Sequence, residues 1–179
     1  MVDAGNHNQP KPVFKAKDMG HPLLGRKRVN NDVQILEPIH ALLITGSNMS
    51  GKSTLLRAAG INLVLACAGA PVCAGSLRAS LMHIHTCMRV SDNLEKSISS
   101  FYAELLRIKA IVAQANEGES VFFLLDEIFK GTNSIDRHLG AKILIRKLCS
   151  TKSIGLVSTT RNAIYLMKLA GIDIEDDQI

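Results

Sequence analysis

The sequence predicts an α/β fold in which a mainly parallel sheet is covered by helices on both faces. Short, wholly apolar runs at residues 41–45, 121–125 and 154–157 are typical of strands that are buried on both sides. Segments with helical spacing of apolar residues separate these runs. The chain has 179 residues, of which 46% are hydrophobic, so it is long enough and apolar enough to form one domain with a core.

The remaining elements follow from local patterns along the chain. Residues 1–20 are polar and contain two prolines, and we interpret them as a linker or a residual upstream segment. Residues 77–90 are expected to form one or two strands. Helices are predicted by apolar periodicity over residues 52–68, 98–115, 135–149 and 162–170.

Composition argues against several classes of protein. Trp is absent and only 4% of residues are aromatic, which disfavours a stacking platform for single-stranded nucleic acid. The four cysteines show no C-x-x-C spacing, so buried reduced thiols are expected rather than a metal or disulfide framework. The most apolar run, residues 61–72, is too short to span a bilayer, and no signal peptide is found. We therefore expect a cytoplasmic protein with no membrane association.

A glycine-rich motif follows the first apolar run. Residues 46–53 match G-x-x-x-x-G-K-[ST] in full and lie between a predicted strand and a predicted helix, as a P-loop requires. A chance glycine-rich turn is the alternative, and the complete match disfavours it. The motif predicts a P-loop nucleoside triphosphatase with ATP and Mg²⁺. Its expected nucleotide-binding residues are Gly46, Ser47, Asn48, Met49, Ser50, Gly51, Lys52, Ser53 and Thr54.

The chemistry of phosphate binding explains the residue types in this motif. Glycines let the backbone N–H groups wrap closely around a phosphate, and the start of the following helix adds a positive dipole. Lys52 is expected to contact the β- and γ-phosphates, and Ser53 is expected to offer its hydroxyl to Mg²⁺.

Two acids end the second apolar run. Ligands bind parallel sheets at the carboxyl edge, where Asp126 and Glu127 are expected to lie. Asp126 is predicted to bind Mg²⁺, and Glu127 to orient or deprotonate the attacking water as the catalytic residue. A solvated turn is the alternative interpretation of a strand-end acid pair, and the adjacent P-loop motif disfavours it.

Three further segments carry a specific family resemblance. They are Asn48-Met49 within the glycine-rich motif, the run SSFYAE at residues 99–104 and the run DEIFKGTNSID at residues 126–136. Together they resemble the ATPase domain of the MutS family, the DNA mismatch repair and recombination ATPases of ABC type. The resemblance covers about residues 19–159, so residues 21–160 are identified as a MutS-like ATPase domain and residues 161–179 as a divergent tail. A transport-type ABC ATPase is a weaker alternative, because the L-S-G-G-Q signature is missing.

The resemblance implies roles that spacing alone does not show. MutS-like proteins act as dimers with composite ATP sites, in which hydrolysis gates dimer and DNA-clamp states. A serine on the signature helix contacts the γ-phosphate of the partner's ATP, and Ser99 is the matching position. Capping of its own helix is the equally weighted alternative for Ser99, and Phe101 and Glu104 are interpreted as structural. The implied partners are a second copy or a MutS-like partner, and double-stranded DNA for the full-length protein.

The chain also departs from the family pattern. Thr160 occupies the position of a histidine that senses the γ-phosphate, and threonine cannot carry a proton near neutral pH. No aromatic residue for stacking adenine is found over residues 26–32. The resemblance to the family ends at Arg161. Three explanations remain open: the chain is a fragment, a degenerate paralogue, or the product of a gene with a frame change near codon 160. These departures favour, as an alternative function, a nucleotide-dependent interaction module with little or no turnover.

Overall fold

A computed structural model describes residues 12–88 and 97–159. Seven strands lie within these residues: β1 (Phe14–Met19), β2 (Asn31–Ile35), β3 (Ala41–Thr45), β4 (Ser76–Ala79), β5 (His83–Cys87), β6 (Val121–Asp126) and β7 (Ile154–Thr159). Three α-helices are α1 (Lys52–Cys67), α2 (Ser97–Asn116) and α3 (Ser134–Cys149), and a 3-10 helix spans Pro22–Lys27.

Four of the strands form a parallel sheet in the order β3-β7-β6-β5. This confirms the predicted parallel sheet and the three apolar runs on which it was based. In the register of the sheet, Thr45 pairs with Thr159 and Asp126 pairs with Ser158. The carboxyl ends of β3, β6 and β7 therefore meet at one edge.

Both faces of this sheet are covered, as expected. On β6, Phe122 and Leu124 belong to a core shared with α1. The alternate residues Val121, Phe123 and Leu125 belong to a second core shared with α2 and α3. Every residue of β6 is buried, because a strand in the middle of such a sheet has no solvent-facing side.

A second, antiparallel sheet has the order β2-β1-β4 and was not predicted as a separate sheet. The expectation of a linker over residues 1–20 is wrong for Phe14–Met19, which form its central strand. Phe14 and Met19 are fully buried, and the Phe14 ring stacks on Phe122 with 4.8 Å between ring centroids. Charged residues separate the buried ones along β1, and the register is irregular between Ala16 and Met19. The segment therefore has a polar composition although three of its six residues are buried.

Asn62 joins α1 to the antiparallel sheet. Its buried amide nitrogen donates to the carbonyl oxygens of Gly20 at 3.0 Å and Ala58 at 2.8 Å. Its oxygen accepts the Cys73 N–H at 2.6 Å. Because the amide is satisfied on both sides, it can be fully buried without the penalty of a lost hydrogen bond.

The remaining predictions of helices and strands are either confirmed or concern residues that the structure does not describe. The helices near 52–68, 98–115 and 135–149 are confirmed, and residues 77–90 contain two strands, β4 and β5. Thr160, the predicted helix at 162–170 and the tail at 161–179 lie outside the described residues. Within those residues, no helix combines the length and the apolar character needed to cross a membrane.

Candidate functional site

The candidate site is a cavity of about 460 Å³ at the carboxyl edge of the parallel sheet. It lies between the connection that follows β3 and the residues that follow β6, which is where ligands bind in sheets of this kind. Its lining residues are Asn48, Met49, Ser50, Gly51, Lys52, Ser53, Thr54, Arg57, Asp126, Glu127 and Lys130. Most of the residues predicted from the two motifs are thus brought to one cavity.

The glycine-rich loop (Gly46–Ser53) turns the chain from β3 into α1. Gly51 has φ +89°, a left-handed conformation that glycine adopts without strain, and it occupies the N-cap position of α1. As a glycine, it provides no side-chain capping hydrogen bond to this helix end. The first N–H groups of a helix lack partners inside the helix, so this end is suited to an anion.

Lys52 points back into the glycine-rich loop and is buried, with 7% of its side chain exposed. Its ammonium donates to the carbonyl oxygens of Gly46 at 3.0 Å and Ser47 at 2.7 Å. A carboxylate oxygen of Glu127 lies 3.8 Å from the same nitrogen. Lys52 therefore connects the glycine-rich loop to Glu127, the first residue after β6.

Ser53 and Asp126, the two predicted metal residues, are in contact. The Ser53 hydroxyl donates to Asp126 Oδ2 at 2.6 Å, and the Ser158 hydroxyl donates to Asp126 Oδ1. Oxygen donors of this kind suit Mg²⁺, which binds through one or two carboxylates together with waters and substrate phosphates. The described ranges contain no group of three or more His, Cys, Asp or Glu side chains that could hold a metal alone. A metal here would need further oxygens from a ligand or from water.

Ser158 is a site residue that sequence reasoning missed. It lies on β7, directly opposite Asp126 in the parallel register. It is almost fully buried, with 1% exposed, and holds the second oxygen of the Asp126 carboxylate. Ser158 could have been identified from its position at the end of a predicted strand, because the last residues of neighbouring parallel strands lie side by side.

Glu127 turns into the cavity immediately after β6. Its side chain is 14% exposed, and its carboxylate forms an ion pair with Lys130 in addition to its proximity to Lys52. Its backbone has φ +48°, and Phe129 two residues later has φ +61°. For residues with a Cβ atom, this left-handed conformation costs about 1–2 kcal/mol each, so other contacts must hold the segment.

Side chains from two helices hold the β6–α3 turn (Glu127–Asn133). A carboxylate oxygen of Glu104, from α2, accepts the Phe129 N–H at 2.5 Å. Arg137, from α3, donates its guanidinium hydrogens to three carbonyl oxygens of the turn, those of Phe129, Lys130 and Thr132, at 3.2–3.4 Å. Nothing in the sequence pattern identified Arg137, because its partners are backbone atoms.

Two of the cysteine thiols have raised pKa values. Burial, followed by the Glu104 carboxylate, raises the pKa of Cys87 to about 11, and Arg107 acts in the opposite direction. Burial also raises the pKa of Cys149. All four cysteines are free, as expected. The expectation of buried thiols is confirmed for Cys87 alone, because Cys73 and Cys149 are half-buried and Cys67 is exposed.

Ser99 is the remaining predicted site residue. It is the third residue of α2 as described, and its side chain lies outside what the structure describes. Its predicted contact with a partner's ATP therefore stays a prediction.

Comparison with known proteins identifies related sequences. Residues 42–172 match the family MutS domain V. The chain is 31% identical to Endonuclease MutS2 of Carboxydothermus hydrogenoformans over 93% of its own length, and 36% identical to DNA mismatch repair protein MutS of Oleidesulfovibrio alaskensis over 72%. It is 32% identical to DNA mismatch repair protein MSH7 of Arabidopsis thaliana over 82%.

These matches span only a small part of each relative. The chain aligns with 21% of the MutS2 protein, 14% of the MutS protein and 15% of the Arabidopsis protein. The matched family region contains the glycine-rich loop, both acids and the β6–α3 turn. The chain belongs to the MutS family, and more than half of it corresponds to domain V of that family.

Proposed function

We propose that this chain is the ATP-binding domain of a MutS-like DNA mismatch repair or recombination protein, and that it hydrolyses ATP with Mg²⁺. The observation that carries the proposal is the hydrogen bond from Ser53 to Asp126. It brings the glycine-rich loop and the acid at the end of β6 together at one cavity, with Lys52 and Glu127 beside it. Phosphate-binding groups, metal ligands and a base are thereby supplied within one site.

Binding would begin at the glycine-rich loop. The backbone N–H groups at the start of α1 bind phosphate oxygens, and the helix dipole favours their negative charge. The Lys52 ammonium exchanges its carbonyl partners, Gly46 and Ser47, for phosphate oxygens. The ammonium then pairs with an anion instead of a neutral carbonyl group, so the contact gains a direct attraction between opposite charges.

Ser53 and Asp126 would hold the metal. Mg²⁺ held there would neutralise part of the phosphate charge and so favour displacement at the γ-phosphorus. Ser158 keeps the Asp126 carboxylate oriented through its own hydrogen bond. Glu127 accepts a proton from the water that attacks the γ-phosphate, so that ADP and inorganic phosphate are released.

A second candidate function is a nucleotide-dependent interaction module with little turnover. The specific observation is the ion pair between Glu127 and Lys130, with Lys52 close to the same carboxylate. The ion pair engages one oxygen of the carboxylate and restricts how the group can reach a water molecule. Measurement of γ-phosphate release alongside ATP binding separates the two candidates, because the module binds ATP without releasing phosphate.

Partners are also proposed from the relatives. Of the three relatives described above, two are named DNA mismatch repair proteins and the third is named an endonuclease. We propose that this chain is part of a protein that acts on double-stranded DNA. We also propose that it pairs with a second copy or a MutS-like partner to form composite ATP sites. Ser99 of one subunit would contact the ATP of the other. Light scattering with and without ATP tests the pairing.

Calorimetric titration with ATP and Mg²⁺ tests the binding proposal. Lys52→Ala should weaken binding by about tenfold or more, because a hydrogen bond to a charged group contributes about 1.5–3 kcal/mol. Lys109→Ala removes an exposed ammonium from α2, outside the cavity, and serves as the matched control. Equal affinities for the parent and Lys52→Ala would overturn the proposal.

A further inference from the structure

The β6–α3 turn is held in a conformation that its own residues disfavour. Glu127 and Phe129 both have positive φ angles, +48° and +61°, and neither is a glycine. Non-glycine residues stay in this region only when the surrounding structure fixes them, and such residues cluster at functional sites. Release of the turn would let Glu127 relax away from its direction into the cavity.

Glu104, 25 residues before Phe129 in the sequence, makes one of the contacts that hold the turn. Its carboxylate oxygen accepts the Phe129 N–H at 2.5 Å, in the middle of the turn. The influence of the same carboxylate on the Cys87 thiol places its charge near the carboxyl ends of β5 and β6. Glu104 does not line the cavity, so it has no direct contact with a ligand there.

A second contact from the same helix supports the same role for α2. A Cβ atom on Gly131 would lie only 3.2 Å from the Phe101 ring, so α2 packs directly on the backbone of the turn at that point. Phe101 and Glu104 lie three residues apart, on one side of the helix. The helix therefore holds the turn both by packing and by a charge-assisted hydrogen bond.

We propose that Glu104 is a positioning residue for Glu127: by fixing the Phe129 N–H it holds the β6–α3 turn in the conformation that directs Glu127 into the cavity. The proposal rests on the proposed ATPase function, in which Glu127 is the base. It also assigns a role to the acid of the SSFYAE segment, which sequence reasoning interpreted as structural.

Positioning and mere structural support have different consequences. A structural role would lower stability and would weaken ATP binding and hydrolysis together. Positioning acts only on the step in which Glu127 takes part, so the rate of that step falls while ATP affinity is kept. Misplacement of a reacting group by about 1 Å can cost about 10²-fold in rate.

Three variants of the full chain test the proposal. Glu104→Ala removes the acceptor. Glu104→Gln retains an acceptor oxygen at the same position and should rescue the function. Glu117→Ala makes the same chemical change at an exposed site just after α2 and is the matched control. Calorimetry measures ATP–Mg²⁺ affinity, and release of labelled γ-phosphate in a single turnover measures the rate.

The expected result is a split between affinity and rate. Glu104→Ala should reduce the single-turnover rate by about 10- to 100-fold with ATP affinity within about twofold of the parent, while Glu104→Gln and Glu117→Ala stay near the parent. In a Glu127→Gln background, Glu104→Ala should add no further loss, because both act on one step. A parent-like rate in Glu104→Ala, or a parallel loss of affinity and rate, would overturn the proposal.

Amide hydrogen exchange across residues 127–133 gives a second readout that needs no turnover. Glu104→Ala should lose protection there, and Glu104→Gln and Glu117→Ala should retain it. Unchanged protection in Glu104→Ala overturns the proposal even if the parent is a slow enzyme. Absence of ATP binding by the parent would instead refute the proposed function, and the exchange result would still decide whether Glu104 holds the turn.

Discussion

The glycine-rich loop and the β6–α3 turn both line the cavity, and both contain residues with left-handed backbone conformations. In the loop, Gly51 has φ +89° and its Cβ position is open, with no atom within 4 Å. In the turn, Glu127 and Phe129 adopt φ +48° and +61° with their side chains in place. The loop also contains one non-glycine residue in this region, Met49 at φ +66°, whose side chain is fully exposed. The loop thus combines a glycine that is free to adopt this geometry with one exposed residue, whereas the turn is held there by contacts from Glu104 and Arg137.

The difference follows from what each segment presents to a ligand. The loop presents backbone N–H groups, and a residue without a side chain lets a ligand approach them closely. The turn presents the carboxylate of Glu127, so a side chain is required and strain has to be offset by outside contacts. We expect the loop to respond mainly to changes within itself, and the turn to respond to changes on α2 and α3.

The largest effect is expected at Glu127. Glu127→Gln keeps the shape of the side chain but cannot accept a proton, so hydrolysis should fall by about 10²–10⁴-fold while ATP–Mg²⁺ affinity is retained. Phosphate release and calorimetry measure the two quantities, with Glu117→Gln as an exposed control. Hydrolysis at the parent rate would show that the turn is not the catalytic half of the site.

Loss of the Arg137 guanidinium should be the next largest effect. Arg137→Ala removes a donor from three carbonyl groups of the turn, although that of Phe129 still accepts from Thr132, and should destabilise the fold by about 1–3 kcal/mol. Arg137→Lys should recover only part of this, because an ammonium lacks the planar fork. Denaturant unfolding measures the change, and Arg78→Ala, at an exposed position of β4, is the control. Equal stability of Arg137→Ala and the parent would show that the turn does not depend on α3.

Two glycines with matched geometry test the loop. Gly51 and Gly118 have φ +89° and +86°, and neither has an atom within 4 Å of its Cβ position. An alanine at either position should lower stability by about 1–2 kcal/mol through the backbone alone. Only Gly51→Ala should also weaken ATP binding in calorimetry. If both variants bind ATP equally well, the loop conformation is not part of the binding site.

The smallest effect is expected at the start of α3. The Asn133 side chain accepts the Asp136 N–H at 2.9 Å and caps this helix. Asn133→Ala should lower the free energy of unfolding by about 1 kcal/mol and leave ATP affinity unchanged. Thermal unfolding and calorimetry provide the check. A large loss of ATP affinity would mean that the end of the turn contributes to the site directly.

The same contrast explains how much of the site was predictable. The glycine-rich loop and the apolar strands are local signals, because the residues that specify each structure are adjacent in sequence. Ser158, Glu104 and Arg137 act on residues 32, 25 and up to 8 positions away, through register or backbone contacts. Such contacts depend on how the elements pack, which no local pattern encodes.

The fold shows the same division. Continuous apolar runs predict the strands of the parallel sheet, whereas the polar composition of residues 1–20 predicts a linker where β1 lies. In β1 the buried residues Phe14, Ala16 and Met19 are separated by charged residues, and the partner strands β2 and β4 are each five residues or shorter. Its burial depends on pairing with strands from two other parts of the chain, and that pairing could not be read from residues 14–19 alone.

The central claim is that the glycine-rich loop and the end of β6 form one site for ATP and Mg²⁺. The most direct measurement is the ATP affinity of the parent and Asp126→Asn, each with and without Mg²⁺. The account predicts that Mg²⁺ strengthens ATP binding by the parent, that Asp126→Asn loses most of this gain, and that its metal-free ATP affinity is unchanged. An equal gain from Mg²⁺ in both proteins would contradict the account.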